Sequence, residues 1–194
     1  EISKIKIGMV KNYSYTARVF LPKNLIKFIC FTKENSLVSK TIGHTKEITC
    51  LDISPNSKYI ATGSEDGTIK FWEFYTGNLV RTLTCQPKLQ QIKFTFNNDY
   101  LVSFGESRIK IWETMSGKLH RTLEISNLVT ASLSPNNLNI ICCLDNGNLD
   151  IINLMSGEVI QTTKTPKLSC ITTSYDGSYI IAGANSGDIF IWKR

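Results

Sequence analysis

The chain has 194 residues, 42% of them apolar and 20% charged, which suits a folded body with a substantial core and excludes a disordered or collagen-like polypeptide. Its longest aliphatic or cysteine run, IICCL at 140–144, is far shorter than the ~20 residues a membrane-spanning helix needs. The net charge of +6 resides in the first forty residues, where Lys4, Lys6, Lys11, Arg18, Lys23, Lys27, Lys33 and Lys40 face only Glu1 and Glu34.

The leader opens with ISKIKIGMV (2–10), which alternates like a strand; LPKN (21–24) follows, and then KFICFTKENSLVSKTI (27–42). A basic segment of this kind suits an anionic surface, or an edge strand kept soluble by lysines. Seventeen lysines against five arginines argue against bidentate base reading. The first ten residues contain neither an initiator methionine nor a signal-like apolar stretch, so the chain is expected to be a piece of something longer.

From residue 43 the strands become regular. ITCLDIS (48–54), KYIATGS (58–64), TIKFWEF (68–74) and LVRTL (79–83) are short, β-branched and aromatic, and SPNS, EDG and YTGN separate them. Each separator works by a known device: proline presets φ, Asn and Asp bond to the turn backbone, and glycine accepts φ > 0. No stretch holds a helical period.

The whole unit then repeats. GTIKFWEFYTGNLVRTL (67–83) returns as SRIKIWETMSGKLHRTL (107–123), as GNLDIINLMSGEVIQTT (147–163) and as GDIFIWKR (187–194). Trp72, Trp112, Ile152 and Trp192 stand forty residues apart. Four strands per ~40 residues is the period of a propeller blade. The expected organisation is one domain, with repeats at 43–83, 84–123, 124–163 and 164–194 and a degenerate blade or basic leader at 1–42.

The unit from Gly43 to Trp72, with GH at 43–44, SPN at 54–56 and ATGSEDGTIKFWE at 61–73, resembles a WD repeat. The resemblance implies an all-β propeller of four-stranded antiparallel blades, here an incomplete arc of a larger, seven-bladed ring. It also implies a buried tetrad of His44, Thr62, Asp66 and Trp72. In that tetrad the Thr62 hydroxyl accepts from the indole and from an imidazole oriented by Asp66. Only this unit carries the full set. The second has Ser103 and Trp112 without Gly-His; the third has Cys142, Asn146 and Ile152; the fourth has Ala182, Ser186 and Trp192.

No catalytic set emerges. GANSG (183–187) lacks a nucleophile-elbow serine, and GSEDG (63–67) is neither a phosphate loop nor a dinucleotide fingerprint. Six cysteines without a C-x-x-C pair, and two histidines, leave a zinc site little to draw on and fit a reduced, intracellular setting. No cofactor, metal or small-molecule substrate is expected, and no membrane. The resemblance places the partner-facing positions before each first strand, at Glu47, Lys88, Asn127 and Lys167. A second set lies in the turns at Glu65, Glu106, Asp145 and Asn185. Their mixed signs suit a protein partner in a multisubunit complex. The alternative reading is an RNA-associated subunit of a nucleolar ribosome-biogenesis complex that uses the basic leader.

Overall fold

The computed structural model describes residues 5–9, 16–20, 25–30, 37–85 and 89–193, with side chains from Gly43 onward. Every regular element among them is a β-strand. Strands β1 (Ile5–Met9), β2 (Thr16–Phe20), β3 (Leu25–Cys30) and β4 (Leu37–Ile42) form one antiparallel meander. The segment expected as a degenerate blade therefore holds four strands, and Ile5–Met9 pairs with its own sheet through Ile5↔Phe20 and Met9↔Thr16.

The next sheet runs β5 (Ile48–Ile53), β6 (Tyr59–Ser64), β7 (Thr68–Glu73), β8 (Leu79–Thr84). It is followed by β9 (Gln91–Phe94), β10 (Tyr100–Phe104), β11 (Arg108–Glu113) and β12 (Leu119–Glu124). A further four-stranded sheet comprises β13 (Leu128–Leu133), β14 (Asn139–Leu144), β15 (Asn148–Asn153) and β16 (Val159–Lys164). The last has β17 (Leu168–Thr173), β18 (Tyr179–Ala184) and β19 (Ile189–Lys193). The chain is all-β, with four antiparallel four-stranded blades of the propeller type and a last sheet of three strands among the described residues.

Burial within a blade follows strand rank. The second strands β6, β10 and β14 are buried on both faces, completely so in β14, whereas β18 at the end of the chain is mostly half-buried. This explains why NIICCL is apolar without alternation. Fourth strands face solvent: in β12 only Leu123 is buried, which accounts for the lone leucine after Arg-Thr in LVRTL and LHRTL.

Two irregularities recur and aim the loops. The first pair of strands shifts register between Ile48 and Cys50, Leu128 and Thr130, and Leu168 and Cys170. The third strands shift between Phe71 and Trp72, Ile111 and Trp112, and Ile151 and Ile152. β3 shifts between Phe28 and Ile29, the positions that align with Phe71 and Trp72 when KFICF is laid on KFWEF. Such bulges bend a strand and re-aim its side chains.

The chain divides into two compact units, residues 1–94 with 114–117 and residues 95–113 with 118–194. In the first unit Ile48, Leu51 and Ile60 pack on Trp72. In the second, one core joins Val102, Phe104, Ile109 and Ile111 to Leu128, Leu133, Ile140 and Leu154. A further cluster sets Ile141, Cys143 and Leu149 against Leu168 and Ala182.

Candidate functional site

The 43–84 blade gathers its polar residues between β4 and β5 and between β6 and β7. His44 lies in the first connection, Thr62 near the end of β6, Asp66 in the turn and Trp72 in β7. The structure brings all four together. Trp72 Nε1 donates to Thr62 Oγ1 at 2.9 Å. His44 Nε2 lies 2.8 Å from the same oxygen, and His44 Nδ1 lies 2.9 Å from Asp66 Oδ2. His44, Thr62 and Trp72 are all buried. Gly43 makes this possible: a side-chain carbon there would stand 2.8 Å from Trp72 Cζ2.

The proton arrangement differs from the one read from sequence. Burial lowers the pKa of His44 below its ordinary 6.5, against the opposing pull of the Asp66 carboxylate. The ring is therefore neutral, with its proton on Nδ1 toward Asp66. Nε2 is then an acceptor, so the Thr62 hydroxyl donates to the imidazole while accepting from the indole.

Burial alone would raise the Asp66 pKa. Hydrogen bonds from the Thr68 hydroxyl, the Thr45 N–H and His44 outweigh it and hold the carboxyl well below the usual carboxylate range. Thr68 and Ser64 are members that sequence reasoning missed. Thr68 donates to Asp66 Oδ1 from its N–H at 2.9 Å and its hydroxyl at 2.6 Å. Ser64 Oγ receives the Asp66 N–H at 3.1 Å and donates to Lys46 O at 3.2 Å. The Asp-Gly-Thr spacing, an Asx turn closing onto residue i+2, is the signal that could have identified Thr68.

Linkage fixes how this network responds to acid. The unfolded chain protonates His44 at its ordinary 6.5, while the folded ring resists until lower pH. Stability is thus fully present above 6.5 and falls as pH drops through the interval below it. Asp66 adds a second loss that begins near its ordinary 3.8 and continues toward its depressed folded value. Thermal melts across this range should show both declines, and His44→Leu should remove the upper one. A melting temperature that ignores pH around 6.5 would contradict the neutral-imidazole assignment.

The other blades keep fragments. Trp112 Nε1 donates to Ser103 Oγ at 3.0 Å, with no histidine behind it. In the 128–164 blade Asn146 Oδ1 still accepts the Asn148 N–H at 2.9 Å, but apolar packing replaces the rest. In the last blade Ser186 Oγ turns to Asp188 at 2.7 Å, and Trp192 packs beside Ile180 and Phe190.

The candidate partner-facing residues Glu47, Glu65, Glu106, Asn127, Asp145, Lys167 and Asn185 are all exposed. Lys88 and the basic side chains of residues 1–42 lie outside the described residues. Backbone bonds join the two loops of one blade: Glu65 N to Glu47 O, and Asp145 N to Asn127 O, each 2.9 Å. Lys167 Nζ meets Asp145 Oδ1 at 2.9 Å. Glu106, Asn127 and Asp145 border one shallow depression with Ser107, Ser126 and Val129. Asn185 stands apart in the turn after β18.

Among the described residues no three His, Cys, Asp or Glu side chains are placed to hold a metal ion. Burial pushes the Cys142 thiol far up and Cys143 up to about 12, so neither is a ready nucleophile. Among the described residues no helix is long and apolar enough to cross a membrane.

Residues 35–73 and 157–193 match the family described as WD domain, G-beta repeat. The ribosome biogenesis protein BOP1 homolog of Anopheles gambiae is 46% identical over 41 residues, 21% of this chain and 5% of that protein. Eukaryotic translation initiation factor 3 subunit I of Neurospora crassa is 33% identical over 66 residues, 34% of this chain and 19% of that protein. The ribosome biogenesis protein ERB1 of Debaryomyces hansenii is 50% identical over 38 residues, 20% of this chain and 5% of that protein. The matches thus span less than a fifth of these relatives' own length.

Proposed function

Because the chain carries WD repeats at 35–73 and 157–193, we propose that it is a non-catalytic scaffold that holds protein partners on the loop ends of its blades. The observation that carries this reading is the exposed loop set itself. Glu106, Asn127, Asp145 and Lys167 are polar and solvent-facing; a backbone bond ties Asp145 to Asn127, and the Lys167 side chain pairs with Asp145. Loops positioned by a stiff scaffold are where binding residues concentrate. Relatives named for a translation initiation factor subunit and for ribosome biogenesis support an intracellular, multiprotein setting.

The second reading, an RNA-associated subunit using the basic leader, draws its support from the relatives named for ribosome biogenesis and from the +6 charge of residues 1–40. Quantitative pull-down with two variant sets separates the two. On the scaffold reading, Glu65→Lys and Asp145→Lys disrupt partner capture, while neutralising Lys4, Lys6, Lys11 and Lys23 leaves it intact. On the RNA reading the neutralised set loses single-stranded RNA, and the wild-type affinity falls steeply with salt as counterions are released. Capture indifferent to both loop substitutions would sink the scaffold proposal.

A further inference from the structure

A second exposed surface lies at the other end of the strands from these loops. It is built from three short turns of the second unit: 95–99 (TFNND), 134–138 (SPNNL) and 174–178 (SYDGS). They interlock. Asn137, at φ 61, turns its Oδ1 to accept the Phe96 N–H at 2.6 Å. A side-chain carbon on Gly177 would touch Pro135 Cδ at 3.7 Å, and Thr173 Oγ1 donates to Leu133 O at 3.1 Å. The Phe96 and Tyr175 rings, 79 residues apart in sequence, meet edge to face with centroids 6.2 Å apart.

This meeting is not a core contact. Tyr175 is 75% exposed and Phe96 41%, with Leu138 in the neighbouring turn 55% exposed. Two aromatic rings and a leucine held in water by rigid turns form the kind of patch that marks an interaction site. The charges of the three turns select the occupant. They include Asp99 and Asp176 and no lysine or arginine. Ser174 and Ser178 donate to the Asp176 carboxylate and hold its pKa at about 2. The Asn97 amide holds Asp99 Oδ2 at 2.6 Å. A polyanion would meet two fixed carboxylates here. A guanidinium suits both features, since it stacks on aromatic faces and pairs with carboxylates.

We infer that the Phe96–Tyr175 pair, with Asp99 and Asp176 beside it, is a docking surface for an arginine-bearing basic segment of a protein partner. It is separate from the Glu106–Asn127–Asp145 loop face, and the two surfaces bind independently.

The probe is a blocked Gly-Arg-Gly-Arg-Gly peptide titrated into the full chain, read by amide NMR shifts. Shifts should concentrate in residues 96–99 and 174–178. Tyr175→Ala and Asp176→Asn should each weaken binding by about two- to fivefold, the scale of an exposed cation–π or ion-pair contact. Replacing arginine with citrulline, which keeps the shape and removes the charge, should abolish the shifts, while Asp145→Lys should leave them unchanged. Phe96→Leu keeps apolar bulk without the ring, and supplies an independent reading should Tyr175→Ala perturb the fold. The inference is overturned if the three turns do not respond, if the citrulline peptide shifts them equally, or if oligouridylate competes for them.

Discussion

Trp72→Ala should cost about 3–5 kcal/mol, the range for removing a large buried aromatic side chain. For a chain of this size that corresponds to a melting temperature lower by roughly 6–20 °C. Two losses combine. The ring is fully buried against Ile48, Leu51 and Ile60, so its removal leaves a cavity lined by β-strand residues that cannot easily close. Its N–H also occupies one side of Thr62 Oγ1, whose own proton is committed to His44. Trp72→Phe keeps most of the packing and strands only the hydroxyl lone pair, so it should cost clearly less. Trp112→Ala should fall between the two, because that indole reaches a single serine with no histidine behind it. Calorimetric melts of the three variants check this order. A Trp72→Ala chain that melts with the wild type would show that the blade does not depend on the ring.

Gly43→Ala is also expected to be damaging, although it adds only a methyl group. The added carbon would lie against the Trp72 ring, 2.8 Å from Cζ2, and the ring has no exposed direction in which to retreat. Overpacking of this kind costs about 1–3 kcal/mol. Gly187→Ala makes a useful comparison: its φ is 93, but nothing lies within 4 Å of the added carbon, so it reports backbone strain without a clash. If the clash dominates at Gly43, the substitution should become nearly harmless once Trp72→Ala has emptied the space. Neighbouring residues that share one volume are non-additive in this way. Additive losses in denaturant melts would place the cost of Gly43→Ala elsewhere.

Much of this was legible because the blade writes its physics locally. A turn that needs φ > 0 shows its glycine, as at Gly77, Gly117 and Gly157, with φ of 71, 72 and 75. A half-buried strand shows its alternation, and a forty-residue spacing makes chance alignment implausible. Residues 5–42 were harder to read because no glycine separates their strands. The bulge at Phe28/Ile29 is a property of pairing and leaves no composition signal. In the candidate site, His44, Thr62, Asp66 and Trp72 could be named through the resemblance to a WD repeat, while Ser64 and Thr68 could not. The direction of the Thr62–His44 hydrogen bond could not, since it depends on burial lowering the imidazole pKa. The Phe96–Tyr175 pair was invisible for a different reason: a contact between residues 79 positions apart depends on which turns the packed blades bring together.

The buried network of the 43–84 blade spans little chain. Its bonds join residues separated by 22, 18 and 10 positions. Closing such short loops carries a small entropic penalty, and contacts of low sequence separation form early. During synthesis all its members have been made once residue 72 has been added, and domains that fold as the chain emerges do so from the N-terminal side. The blade with the complete network also precedes the three with partial ones. Strand β9 therefore meets a template that already holds its shape: Phe94 packs edge to face on Phe71 at 5.7 Å, and its N–H reaches Asp52 at 2.8 Å. Uneven reinforcement among near-identical repeats thus gives assembly a direction, from the self-sufficient repeat toward those that need a neighbour.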